Sequence, residues 1–108
     1  MATGLLASAN LNGTSDTTVY TAPATADILV VAKIFLTNRN ASAVSVRLAL
    51  GSSGETAIGT GNSIEYDVTI PAYGILERGN IMLGASQRIL ARTGTAGVSV
   101  AVCGVEQP

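Results

Sequence analysis

Six basic and seven acidic residues among 108 leave a net charge of −1, while 47% of the residues are hydrophobic. The charged fraction of 12% is about half the ~25% of ordinary soluble domains, so the surface of a chain this short must be built largely from Ala, Thr, Ser, Gly and exposed aliphatic side chains. No basic run exists to hold nucleic acid or an anionic membrane, no apolar stretch is long enough for a membrane helix, and the absence of histidine removes Ser-His-Asp and Cys-His machinery and most zinc sites.

Met1 to Leu6 carries no cationic segment and does not read as a signal peptide. The single cysteine, Cys103, excludes an internal disulfide framework. Both fit synthesis in a reducing cytoplasm.

The first eleven residues are uncharged and mostly small, with Leu5, Leu6 and Leu11 as their large apolar side chains. Two readings stand side by side. One is an edge strand or a frayed end. The other is an extended arm, residues 1–11, lying on a neighbouring subunit, with 12–108 as the β-sandwich domain. On the arm reading Leu5, Leu6 and Leu11 are the candidate interface residues, buried by strand addition to a partner's sheet edge.

After the Asn12-Gly13 turn, Thr17 to Thr21 reads as a short strand closed by Ala22-Pro23. Ile28 to Leu36 is apolar on both faces, which places it centrally in a sheet or under a partner. Asn38-Arg39-Asn40 turns the chain into strict alternation: Val44, Val46, Leu48 and Leu50 on one face, Ser45, Arg47 and Ala49 on the other. Gly51 to Asn62 is a Gly/Ser/Thr-rich loop, long enough to be mobile. Its Gly54 to Gly59 spacing has the outline of a phosphate loop, but Thr60 stands where the lysine must be.

Alternation resumes with Ile64, Tyr66, Val68 and Ile70 opposed to Glu65, Asp67 and Thr69. Pro71-Ala72-Tyr73-Gly74 leads into Ile75 to Leu83, with Gly79-Asn80 as a punctuation. Gln87 to Arg92, the Thr93-Gly94 turn, and Val98, Val100 and Val102 alternating with Ser99, Ala101 and Cys103 complete the chain. No window has a helical period. The expected fold is all-β, a single antiparallel β-sandwich or jelly-roll-like barrel of about seven to eight strands.

No cluster rises to a catalytic, cofactor or metal site. Glu65 and Asp67 share the polar face of one strand, which suits a solvated or ion-paired face better than a carboxylate pair or a Ca²⁺ site; Glu77 and Arg78 belong to a similar face. Cys103 reads as a buried, inert thiol, with nothing basic beside it in sequence. Asn12-Gly13-Thr14 and Asn40-Ala41-Ser42 match the glycosylation pattern by coincidence. Three tyrosines and one phenylalanine make a poor stacking platform for sugars or bases. The chain reads as a non-enzyme without cofactors.

Met1 to Leu11, Thr17 to Thr21 and Asn38 to Ala41 before Val44 to Ala49 together resemble small virion structural proteins of tailed bacteriophages, notably those of cyanobacteria and marine bacteria. Ile64 to Asp67, Ile70 to Arg78 and Val98 to Val100 extend the resemblance over nearly the whole chain. It implies a β-sandwich-type fold, no cofactor, and a place in the virion after synthesis in the host cytoplasm. The implied role is a capsid cement or decoration protein that bridges capsomers. Its partners would be the major capsid protein or other virion proteins, and it would form a homo-oligomer, a trimer first. A tail, neck or fibre module and a carbohydrate-binding adhesion domain are the alternatives.

Overall fold

A computed structural model describes residues 3–59 and 61–107. Eight strands follow one another: β1 (Thr3–Leu11), β2 (Thr17–Thr21), β3 (Leu29–Asn38), β4 (Val44–Gly51), β5 (Ser63–Ile70), β6 (Ile75–Leu83), β7 (Arg88–Thr93) and β8 (Val98–Gln107). They form two four-stranded antiparallel sheets, β1-β8-β3-β6 and β2-β7-β4-β5. The pairs β1·β8, β2·β7, β3·β6 and β4·β5 are nested, as in one long hairpin rolled up on itself. That is the strand order of an eight-stranded jelly roll.

The core follows from the alternation. Val30, Ala32, Ile34 and Leu36 of β3 and Val98, Val100 and Val102 of β8 face Val44, Val46 and Leu48 of β4 and Ile89 and Ala91 of β7, each no more than 6% exposed. β3 is central, between β8 and β6. It must come very close to β8 at Gly104, where a Cβ would lie 2.1 Å from the carbonyl oxygen of Val31. Only glycine fits such an approach.

The segment set apart as an arm is an integral strand. β1 pairs with β8 from Thr3↔Val105 to Leu11↔Val98, and Leu11 is 1% exposed in the chain's own core. The sandwich therefore begins at β1 within the described residues rather than at residue 12. Burial decides this: β8 would otherwise be an edge strand with Leu11's site in the core unfilled. Met1 and Ala2 lie outside the described residues.

Every edge strand carries a surplus residue. In β1 it lies between Leu5 and Ala7, in β2 between Thr18 and Tyr20. In β6 the register slips between Ile81 and Arg78, where Asn80 has a φ of 57°. β5 slips twice against β4, between Val68 and Glu65 and again before Ser63. By contrast β3·β8 is unbroken from Leu29↔Gln107 to Asn38↔Val98, and β4·β7 from Val46↔Thr93 to Gly51↔Arg88. Bulges twist an edge and interrupt its row of free backbone groups, which blocks pairing with another chain.

The bulge in β5 overturns the alternation expected there. Asp67 takes a φ of 55°, which a short polar side chain tolerates. Val68 then points inward, but Glu65 stands opposite the core residue Leu48, while Ile64 and Tyr66 are 38% and 48% exposed. Glu65 and Asp67 do not share a face.

Candidate interaction face

The two outer faces of the sandwich differ in chemistry. That of β2-β7-β4-β5 is charged. Arg47 and Arg92 are direct cross-strand partners, a repulsive arrangement unless each is answered by a carboxylate. Asp67 answers Arg47 at 2.7 Å and Asp16 answers Arg92 at 3.6 Å. The bond to the Arg47 guanidinium holds the Asp67 carboxyl below its ordinary range and raises Arg47. Arg47 also lies 4.2 Å from the centre of the Tyr66 ring. Glu65 instead bonds Arg78 of β6, so this ion pair joins the edges of the two sheets.

The same face is partly roofed by the β4–β5 loop. Ala49 and Leu90 are fully buried, yet they alternate with the inward residues and stand outside the core cluster. The loop leaves β4 at Gly51 and folds back until the Ile58 N–H reaches Oδ2 of Asp16 at 3.0 Å, just before β2 at the far edge of the sheet. Inside the loop Ser52 N–H donates to Glu55 Oε1, Gly59 N–H to Asn62 Oδ1 and Asn62 Nδ2 to the Ala57 carbonyl. The stretch expected to be a mobile loop is thus a bonded flap.

The outer face of β1-β8-β3-β6 has no such roof. Its cross-strand rows follow from the register: Leu5–Cys103–Lys33, Thr3–Val105–Val31–Met82, Ser8–Ala101–Phe35–Glu77 and Asn10–Ser99–Thr37–Ile75. Leu5, Met82 and Ile75 are each 62% exposed and Leu29 is 42% exposed; Val31, Phe35, Ala101, Cys103 and Val105 are half-buried. Lys33 and Glu77 pair at 2.6 Å within it, and Lys33 lies over Phe35. Arg39 bonds Asn10 and Ser99, leaving one end of the face polar. The most exposed apolar side chains of this face, Leu5, Ile75 and Met82, thus stand on its edge strands, while its middle carries small residues and the Lys33–Glu77 ion pair.

Of the three leucines singled out in the sequence, Leu5 lies on this face, Leu6 packs against the core at the β1 bulge, and Leu11 is buried in the core. Cys103 is not the buried thiol expected. Alternation puts it on the outer face with Ser99 and Ala101, half-buried between Leu5 and Lys33. Glu77 and Arg78 turn to different partners, Lys33 and Glu65. The sequence reading missed Val31, Phe35 and Met82 as face residues, although the two-sided apolarity of Ile28 to Leu36 was the signal. Among the described residues no three His, Cys, Asp or Glu side chains group to hold a metal, and no helix is long and apolar enough to cross a membrane.

No family model and no curated protein matches the chain. Among solved structures, the fold is similar to a chain in the structure of infectious bursal disease virus, Gx strain. The likeness has a TM-score of 0.51 and 14% sequence identity, and it covers 91% of this chain but 31% of that one. At this identity the likeness is one of fold. The chain spans about a third of the virus chain's length, and the shared unit takes in nearly all of the eight-stranded sandwich described above.

Proposed function

We propose that this chain is a non-enzymatic structural subunit of a virus particle, and more finely a cement or decoration protein that bridges the capsomers of a tailed bacteriophage. The observation that carries the reading is the set of exposed apolar side chains, Leu5, Leu29, Ile75 and Met82, on the outer face of β1-β8-β3-β6 of a jelly roll whose fold is similar to a chain of a virus structure. The tailed-phage and cement assignments rest on the sequence resemblance. Such a protein works by adding interface area between capsomers, so that internal pressure is shared over more contacts. Each specific contact needs on the order of 1,000 Å². The adhesion alternative gains little support: of the exposed rings, Tyr66 is already covered by Arg47, and Tyr73 stands in the β5–β6 turn.

The test is to image, by electron cryomicroscopy, particles made with and without this gene product, and to add the purified chain back to the deficient ones. Difference density on the outer capsid surface supports the cement role. Density at the neck, tail or fibres moves the protein to that site. Deficient particles that are unchanged in density and fail to bind the added chain overturn the virion reading.

A further inference from the structure

We propose that Asn12 is a site of spontaneous covalent modification, at which the main-chain nitrogen of Gly13 displaces ammonia from the Asn12 side chain and water opens the resulting succinimide to aspartate or isoaspartate. The inference concerns the isolated chain and does not rest on the virion reading.

The reaction asks three things of a folded chain. The carboxamide must be accessible and untied, the next main-chain N–H must be free to lose its proton, and the next residue must not crowd the attack with a Cβ. Asn12 and Gly13 meet all three. They lie in the segment 12–16 that joins β1 to β2, and Asn12 is exposed. Among the described residues, neither the Asn12 side chain nor the Gly13 N–H has a hydrogen-bond partner. Gly13 holds a φ of 138°, which favours glycine, and no atom beyond its chain neighbours lies within 4 Å of where a Cβ would project.

The other five asparagines of the chain each fail one of these conditions. Asn38 is buried and held by its carbonyl partners, and the N–H of Arg39 that follows it donates to the Gly97 carbonyl. Asn10 accepts from Arg39, Asn40 donates to the Ala96 carbonyl, and Asn62 is bonded at both ends to Gly59 and Ala57. Asn80 is exposed but precedes Ile81, which is β-branched, buried and inside the β3·β6 pairing. The fold thus restrains the other asparagines and leaves Asn12 open.

The bonds balance with water as the sole co-reactant. Hydroxide takes the Gly13 amide proton, the nitrogen bonds to Cγ of Asn12, and the Cγ–Nδ2 bond breaks to release ammonia. Water then opens the ring at Cγ, restoring the main chain with an aspartate, or at the Asn12 main-chain carbonyl, leaving isoaspartate. Either product adds a negative charge to a chain whose net charge is −1. Isoaspartate also lengthens by one carbon the loop that carries the chain from one sheet to the other. Asp16, which accepts from the flap at Ile58, closes the same loop.

The experiment ages the full chain, folded in mildly alkaline buffer, beside the same chain unfolded in guanidinium chloride and beside folded Asn12→Gln, whose ring would need an extra atom. Thermal melts confirm that the variant folds as the parent does. A protease that cuts before aspartate, followed by mass spectrometry, reads both products: it frees a fragment ending at Leu11 from the aspartate form and leaves the isoaspartate form uncut but heavier by one mass unit. The folded parent should be modified at Asn12 before any other asparagine, at a rate within a few-fold of the unfolded chain, and Asn12→Gln should stay unmodified over the same time. A folded chain modified ten-fold or more slowly than the unfolded one, or modified first at Asn80 or another asparagine, overturns the proposal. So does an Asn12→Gln chain that acidifies as fast as the parent.

Discussion

The phenol of Tyr20 on β2 donates to Oε2 of Glu106 on β8 at 2.5 Å, tying the two sheets together across the sandwich. The two residues are 86 positions apart. Tyr20 is 7% exposed. Burial above all, then the bond to Glu106 and its charge, raises the Tyr20 phenol well above its ordinary value of 10.0. The folded chain therefore keeps a proton that the unfolded chain releases near pH 10. The stability this contributes is present below that pH and is lost as pH rises beyond it. In urea melts from about pH 8 to about pH 11, the parent midpoint should fall more steeply above pH 10 than that of Tyr20→Phe. Parallel curves would sink the assignment.

Strand β1 should be required for folding. Leu11→Ala is expected to cost about 2–5 kcal/mol, because it empties a fully buried core site. Removal of residues 1–10 strips the β1·β8 ladder and should leave no cooperative melt. A truncated chain melting within a few degrees of the parent would restore the arm reading.

Asn38 is fully buried and satisfied. Its Nδ2 donates to the carbonyls of Ser42, Ile70 and Pro71 at 2.9, 3.2 and 3.0 Å, and its Oδ1 accepts from Asn40 N–H. It thereby clamps the β3–β4 turn to the β5–β6 turn. Asn38→Leu leaves those backbone groups unpaired and should cost about 3 kcal/mol or more. Asn38→Asp sets a carboxylate against three carbonyl oxygens, so its folded-state pKa must lie above the unfolded value of about 4. That variant should be least stable near neutrality and recover as pH falls, the reverse of an ion-paired carboxylate. Denaturant melts across this range, showing either recovery or none, decide the point.

Asp16 is the latch of the flap over Ala49 and Leu90. Asp16→Ala removes the acceptor of the Ile58 N–H and the partner of Arg92. A glutamate-specific protease should then cut the native protein faster after Glu55, in the flap, with mass spectrometry locating the cut. Equal rates for variant and parent would show that burial of Leu90, rather than Asp16, holds the flap.

Side-chain alternation is a local property with a period of two. Val44 to Leu50 and Val98 to Val102 therefore announce their strands and inward faces in the sequence. The two-sided apolarity of Ile28 to Leu36 likewise marks a central strand, and sparse charge marks an open apolar surface. Bulges escape such a reading because one surplus residue reverses every later side chain. At the β5 bulge the left-handed residue is Asp67 rather than a telltale glycine. Leu5, Leu6 and Leu11 look alike in sequence, yet one is exposed, one half-buried and one in the core. Their fates are set by β8, some ninety residues away in the chain. The same holds for Leu90, fully buried although it stands outside the core cluster, and for the Tyr20–Glu106 bond. What the sequence by itself determined was which segments are strands and that the surface as a whole carries few charges. Only the tertiary structure decided which strands are edges and which face stays open, because pairing joins residues whose order along the chain carries no record of their contact.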